Sequence, residues 1–299
     1  MSILNTNDTV SEGDTVIVHV DFATLLSVRV DPTVREPTVQ TKYGAIPYKN
    51  LIGHKYGTKY HCKKGYVFIL RATPELWTKT LPFRTQILYL PDISMIIMHL
   101  DLRPGCMVGE SGTGSGSLSH TIARTIAPHG HLYTFDYHDL RVQQAEKEFL
   151  QHGLNHVITA RKADVYAEGY LELDGILDAI LLDLPRPWVA VPKVKKALKR
   201  SCGGARIGSF SPCIEQVQRT CLALKQEGFA DIVTLECLMR PLEVKAITVN
   251  CWNEPKEPEA AAEGGKPLKS PFSQTTFPAT IVPGDVPGHS GYLTFASLF

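Results

Sequence analysis

The chain has 299 residues and a mass of 33.0 kDa, enough for about two domains. Hydrophobic residues make up 43% and charged residues 20%, which excludes a wholly disordered chain, and no apolar run reaches the ~18–20 residues of a membrane helix. The net charge of +1 argues against a uniformly basic nucleic-acid binder. The charge is uneven, however. From Pro37 to Pro74 there is no Asp or Glu, while Lys42, Lys49, Lys55, Lys59, Lys63, Lys64 and Arg71 contribute +7; subtracting these from +1 leaves −6 for the rest. A basic lobe on an acidic body steers a polyanion to one face. The opening MSILNTNDTVSEGD lacks the basic and apolar regions of a secretory signal. The seven cysteines form no C-x-x-C pair, so no metal site or disulfide framework is expected, and a reducing compartment fits.

In chain order, TVIVHVD and TLLSVRV alternate apolar and polar residues as short strands, and Asp31-Pro32 ends the second. YGTKYHCKKGYVFIL reads as a strand pair turning at Lys64-Gly65, so a small barrel or sandwich is expected over 1–76. Thr73-Pro74-Glu75 punctuates the chain. RTQILYLPDISMIIMHL reads as helix with Pro91 early or at a kink. CMVGE is a short strand followed by a glycine-rich turn and the helix SLSHTIARTIA. Then come strand HLYTFDYH, helix DLRVQQAEKEFLQH, strands VITARKADV and LDAILLDLP, strand RIGSFSP, helix IEQVQRTCLALKQEG and strand DIVTLECLM. This alternation predicts a mostly parallel sheet with helices on both faces over 77–299. Residues 253–288, rich in Pro, Glu, Ala and Gly, are expected to be a flexible insertion before the last strand, SGYLTFASL.

Three features carry chemistry. Glu110-Ser111-Gly112-Thr113-Gly114-Ser115-Gly116-Ser117 links a strand to a helix with the spacing acid-x-G-x-G-x-G, the pattern of S-adenosylmethionine (SAM) binding. The last glycine comes one residue too early for the dinucleotide fingerprint, which disfavours an NAD enzyme, and the G-K-S/T of a phosphate loop is absent. Asp136 ends the second strand, where an acid accepts both ribose hydroxyls. Asp164 follows the third, placed either for the adenine amino group or as a helix N-cap. Finally, Asp183-Leu184-Pro185-Arg186-Pro187-Trp188 closes the apolar strand AILL. Two prolines stiffen a corner that presents the Asp183 carboxylate and the Leu184 carbonyl to a base with an exocyclic amino group. Trp188 is placed either to stack on that base or to pack between elements, and Arg186 to meet a phosphate or solvent.

Together ESGTGSGSLSH, FDYH-x-x-R, ILLDLPRPW, SFSPCIEQVQRT and TPELWT…LPFRTQILY resemble the catalytic subunits of eukaryotic tRNA (adenine-58-N1)-methyltransferase. The likeness runs from Glu12-Gly13-Asp14 to the terminal GHSGYLTF and lapses over 253–287. It implies a Rossmann-like class I methyltransferase, a seven-stranded sheet preceded by a small β-barrel-like domain. The reaction it implies is SAM-dependent methylation of N1 of the T-loop adenine of tRNA, with S-adenosylhomocysteine as product. It also implies a non-catalytic paralogous partner in a two-plus-two assembly, no membrane, and a nuclear location. Carried over by position, SAM would meet Leu88, Glu110, Gly112, Gly114, Ser115, Gly116, Ser117, Asp136, Arg141, Asp164 and Asp183. The tRNA would meet Thr85, Gln86, Tyr89, Leu184, Pro185, Ser209, Phe210, Ser211, Pro212, Gln216 and Ser290, and the N-terminal domain over 1–76 would add tRNA and partner contacts. Asp183 would be the catalytic residue. The resemblance departs at Asp136, where a glutamate is expected. A catalytically silent RNA-binding subunit and a protein isoaspartyl carboxyl methyltransferase are the rival readings. The basic aromatics of 37–74 and the Lys193–Arg200 cluster stay open between RNA contact and ordinary core or surface.

Overall fold

A computed structural model describes the chain except residues 1–3, 5–6, 32, 34–37, 83, 201–202, 240–241, 253–271 and 283–289. Fifteen strands and six α-helices are described. The first layer is antiparallel: β1 (Thr15–Asp21), β2 (Thr24–Arg29), β5 (Thr58–Cys62) and β6 (Gly65–Arg71) form a sheet ordered β2-β1-β6-β5. A separate hairpin, β3 (Thr38–Thr41) with β4 (Gly44–Pro47), was not expected from the sequence because its strands are only four residues long. Alternation turns Val16, Val18, Val20, Val28, Val67 and Ile69 to one buried face. The β5–β6 register pairs Cys62 with Gly65, so the turn is Lys63-Lys64, one residue earlier than expected.

Thr73-Pro74-Glu75 proves to be a helix start. The Thr73 hydroxyl accepts from the Leu76 N–H, Pro74 takes the first turn, and α1 runs Pro74–Thr80. The boundary expected after residue 76 thus falls inside α1, and both sheets belong to one compact unit, 1–237 with 290–299. The helix expected from Arg84 starts only at Leu90: α2 is Leu90–His99, with Pro91 in its first turn. The six residues before it are not helical and bend at Arg84-Thr85, which matters below.

The second layer is a seven-stranded sheet ordered β12-β15-β11-β10-β7-β8-β9. Its strands are β7 (Met107–Ser111), β8 (His131–Asp136), β9 (Ile158–Lys162), β10 (Ala179–Leu182), β11 (Ala205–Ser211), β12 (Ala230–Leu235) and β15 (Tyr292–Leu298). β7 through β11 are mutually parallel and β15 is antiparallel to both neighbours. AILL of β10 is buried at every position because helices cover both faces. α2, α3 (Ser117–Ile126) and α4 (Asp139–Gln151) pack one core; α5 (Pro187–Ala197) and α6 (Ile214–Gln226) pack the other. The chain enters at β7, winds outward to β9, then crosses back to β10. The strand order therefore reverses between β7 and β10, and a crevice opens at their carboxyl ends.

Residues 238–289 form a second unit. Its described part is a hairpin, β13 (Glu243–Trp252) with β14 (Phe272–Ile281), paired over ten positions from Glu243↔Ile281 to Trp252↔Phe272. Most of the insertion expected over 253–288 lies outside the described residues. Its described stretch, Phe272–Ile281, is a strand rather than loose chain, supported by cross-strand pairs that composition does not register.

Candidate active site

Both walls of the crevice are strand ends. In the β7–β10 register Ser111 pairs with Leu182, so Gly112 and Asp183 leave the sheet side by side. Gly112 has φ +100°, and a Cβ there would sit 2.3 Å from the Asp183 carbonyl oxygen. Only glycine fits, because the turn must pass against the neighbouring backbone. Asp136, at the end of β8, reaches back to this loop. Its Oδ2 accepts from the Gly114 N–H at 3.1 Å and its Oδ1 from the His138 N–H at 2.9 Å, with Arg141 Nη1 3.8 Å away. Two backbone donors fix the carboxylate at the rim of the cavity.

The non-helical segment before α2 straps this loop. Ser115 Oγ accepts from the N–H groups of Arg84 (2.9 Å) and Thr85 (3.2 Å), and Ser117 Oγ donates to the Leu88 carbonyl at 3.1 Å. The two serine hydroxyls expected to meet the cofactor are therefore occupied in holding protein to protein. Arg84 forms a two-pronged ion pair with Glu148 of α4 (2.5 and 3.2 Å) while lying 3.4 Å from the Gly114 carbonyl. Beneath the loop, His120 Nδ1 donates to the Gly116 carbonyl at 2.6 Å, since a carbonyl only accepts. Burial drives the His120 pKa down to about 4 and the His152 pKa to about 3, so both rings are neutral. His120 Nε2 must then accept from His152 Nδ1, 2.9 Å away. Trp77 of α1 closes on both rings, 4.6 Å from His152 edge-on. Sequence reading missed Arg84, Glu148, His120 and His152. No local motif joins residues 32 to 64 apart, although a histidine in the first helical turn after the glycine loop was a visible hint.

The opposite wall differs. Asp183 is anchored by its N–H to the Ser111 carbonyl (2.9 Å), yet no described residue donates to its carboxylate. Burial alone pushes its pKa up to about 6. Behind it the corner is pinned: Gln216 Nε2 donates to the Pro185 carbonyl at 3.0 Å while Gln216 Oε1 accepts from the Cys213 N–H, capping α6. The Arg186 N–H donates to Tyr166 Oη, with the guanidinium 5.3 Å from that ring. Trp188 is not among the residues lining the cavity; Arg219 of α6 covers its ring at 5.2 Å, in line with packing between α5 and α6. Glu110 is fully enclosed under the glycine loop, where Ser119 donates to it at 2.6 Å and burial raises its pKa to about 7.

A cavity of about 650 Å3 joins the two walls. It is lined by Thr85, Gln86, Ile87, Leu88, Gly112, Gly114, Asp136, Arg141, Asp183, Leu184, Pro185, Phe210, Pro212, Gln216 and Ser290. A second lobe of about 400 Å3 runs along Asp136, His138, Ala163, Asp164, Tyr166 and Arg186. Asp164 lines this lobe, and its Oδ1 accepts from the Tyr166 N–H (3.0 Å), capping a turn rather than a helix. Ser209 and Ser211 do not join the site. Both are buried, on the face of β11 opposite Phe210, with hydroxyls lacking a described partner. Tyr89 is half exposed at the α2 N-cap, outside the cavity lining. Of the Lys193–Arg200 cluster, Lys193 donates to the Ala167 carbonyl, Lys195 pairs with Glu227 and Lys199 with Asp178, so these three serve the fold.

The family profile described as "tRNA methyltransferase complex GCD14 subunit" matches residues 65–298. The chain belongs to this family. Among curated relatives it is 45% identical over 238 residues to a protein named tRNA (adenine(58)-N(1))-methyltransferase catalytic subunit TRM61 from Cryptococcus neoformans, covering 79% of this chain and 54% of that one. It is 42% identical over 248 residues to the Dictyostelium discoideum protein of corresponding name, covering 81% of this chain and 78% of that one. The chain thus spans about half the length of the Cryptococcus relative. Among solved structures, a SAM-dependent O-methyltransferase from Thermotoga maritima superposes with TM-score 0.74 at 25% identity, covering 97% of this chain and 94% of that one. The tRNA (m1A58) methyltransferase TrmI from Aquifex aeolicus superposes with TM-score 0.69 at 21% identity, covering 97% and 98%. The fold of this GCD14-family chain, both layers included, is that of class I SAM-dependent methyltransferases.

Proposed function

We propose that this chain is the catalytic subunit of a SAM-dependent tRNA (adenine-58-N1)-methyltransferase. The observation that carries the reading is the cavity running from Gly114 to an Asp183 carboxylate that no described residue satisfies. The residues fit SAM. Asp136 stands at the rim as acceptor for a ribose, Asp164 and Tyr166 line a lobe for the adenine, and three acids, Asp136, Asp164 and Asp183, suit a cationic ligand. When bound, SAM supplies an electrophilic methyl group on a sulfonium.

What the chain contributes is position and charge. Adenine N1 carries its own lone pair, so no base need deprotonate it. Holding the ring in line with the methyl group provides most of the acceleration. Asp183 and the Leu184 carbonyl accept hydrogen bonds from the exocyclic amino group. As the ring becomes cationic, the Asp183 carboxylate stabilises the developing charge. Gln216, by fixing the Pro185 carbonyl, sets the direction of both acceptors. Phe210 and Pro212 bound the base sideways. Reaching such a pocket requires the base to leave its stack, at a cost of a few kcal/mol met by contacts elsewhere on the RNA.

The partner is a non-catalytic paralogous subunit in a two-plus-two assembly, located in the nucleus. The β13–β14 hairpin supports a partner. A lone two-stranded ribbon is marginal in water, and this one leaves Trp252, Phe272, Phe277 and Val244 exposed. The experiment is mass spectrometry of tRNA nucleosides after incubation with SAM, the chain and its partner. N1-methyladenosine at position 58 is expected. Failure to bind SAM with the partner present would favour the silent-subunit reading, and methylation of an aged peptide instead of tRNA the isoaspartyl one. Fluorescence imaging of the tagged chain tests the nuclear location.

A further inference from the structure

Two carbonyls of the glycine loop are held from outside it, and both holds end on α4. The Gly114 carbonyl accepts from Arg84 Nε and Nη2, both at 3.4 Å, and the same guanidinium is forked onto Glu148. The Gly116 carbonyl accepts from His120 Nδ1, and the other nitrogen of that ring accepts from His152. Glu148 and His152 stand four residues apart, in the last turn of α4 and at its C-cap, and so share one face. That face is buried: Glu148 is 5% exposed and His152 3%. At its other end α4 meets Asp136, through the His138 N–H and Arg141. One helix therefore grips this wall of the crevice at three points.

Arg84, His120, Glu148 and His152 line neither lobe of the cavity, so they act on a ligand only through what they hold. A trans peptide is planar with its C=O and N–H opposed, and fixing a carbonyl fixes the N–H of the next residue. The two N–H groups set in this way are those of Ser115 and Ser117, and neither has an acceptor among the described residues. The histidine pair sets more than a direction. Because His152 Nδ1 donates to His120 Nε2, the His120 proton stays on Nδ1, the one neutral tautomer that can donate to Gly116. Without that donor the proton is free to move to Nε2, and a bare Nδ1 would face a carbonyl that only accepts. Trp77 and Phe149, both packed on the His120 ring, keep it from turning away.

We propose that Glu148 and His152 are positioning residues for SAM: through Arg84 and His120 they hold the Gly114 and Gly116 carbonyls, and so aim the free N–H groups of the glycine loop for the carboxylate of the ligand. The proposal rests on the SAM reading above and deepens it, since the loop supplies the donors and α4 supplies their direction. A loop fixed in advance loses little conformational freedom when a ligand arrives. The brace therefore acts on SAM affinity and leaves the methyl-transfer step to the Asp183 corner.

The test uses the chain assembled with its partner and reads SAM Kd by calorimetry. His152→Leu, which fills the space without a donor, should weaken SAM about five- to ten-fold, while His152→Asn, which returns an N–H, should stay within about two-fold of wild type. Glu148→Gln and Arg84→Lys, which loosen the fork while keeping most of its volume, should each cost about three-fold, and the two combined no more than either alone. In every variant kcat at saturating SAM should hold. Amide exchange over residues 112–117 of the unliganded assembly should quicken in His152→Leu, with the strands of the seven-stranded sheet unchanged. Equal losses in His152→Leu and His152→Asn overturn the proposal, because volume and not the donor would then matter. So does a fall in kcat with SAM Kd intact, or an unchanged Kd in Glu148→Gln and Arg84→Lys, the two variants that decide should His152→Leu not fold. Exchange needs no ligand, so a wild-type assembly that binds no SAM would count against the SAM reading, whereas unaltered exchange in His152→Leu would count against this one.

Discussion

Two aspartates stand at the two walls of the crevice, and their surroundings are opposite. Asp136 accepts from two backbone N–H groups and has an arginine nearby; Asp183 has no donor among the described residues and its proton is held up to about 6 by burial. The first wall is finished before ligand arrives, as suits a group that must present fixed acceptors to neutral hydroxyls. The second is left costly, and that cost is relieved when a positively charged ligand or a cationic ring approaches. Binding and turnover should therefore separate between the walls.

The largest effect expected is on the second wall. Asp183→Ala should lower kcat about 10²–10³-fold with SAM and tRNA affinities nearly intact, checked by single-turnover methylation with separate binding titrations. Near-normal turnover would remove Asp183 from the mechanism. On the first wall, Asp136→Ala should weaken SAM binding about 10–100-fold, since charge-assisted hydrogen bonds are lost and two N–H donors are orphaned. Calorimetry gives that number, and a loss confined to kcat would break the contrast.

A smaller effect sharpens it. kcat should rise roughly ten-fold between pH 5 and 7, as Asp183 (about 6) loses its proton ahead of Glu110 (about 7) and presents a carboxylate to the ring that becomes cationic. Asp183→Asn should flatten the lower part of that curve. The stability of the unliganded protein runs the other way. The folded state keeps protons on these two carboxyls that the unfolded chain has released, so stability falls as pH rises from about 4 to 7, measurable as the denaturant midpoint. Smallest is Gln216→Ala, which frees the Pro185 carbonyl; kcat should drop about two- to five-fold with SAM affinity unaltered.

The site was legible where chemistry is written in adjacent residues. The glycine loop, Asp136 and the Asp183 corner each fall at a strand end, and a parallel sheet brings its strand ends to one edge. Ser115 and Ser117 were read as ligand contacts because a serine in a glycine loop has no visible alternative partner. Only the packed segment 84–88 supplied one. Ser211 turns away from the cavity because alternation along β11 sets it opposite Phe210, and the Trp188 ring, open between stacking and packing, lies against Arg219.

The sequence by itself determined the alternation of strands and helices, the methyltransferase loop and the basic, acid-free lobe, because periodicity, glycine spacing and charge are local quantities. Tertiary structure alone decided that Arg84–Glu148 and the His120–His152 pair brace that loop, that no described residue partners the Asp183 carboxylate, and which aromatics of the lobe pack into its core. Each of these depends on register or on contacts between residues far apart in the chain. A linear pattern cannot specify them, because burial and pairing are settled only when distant elements pack.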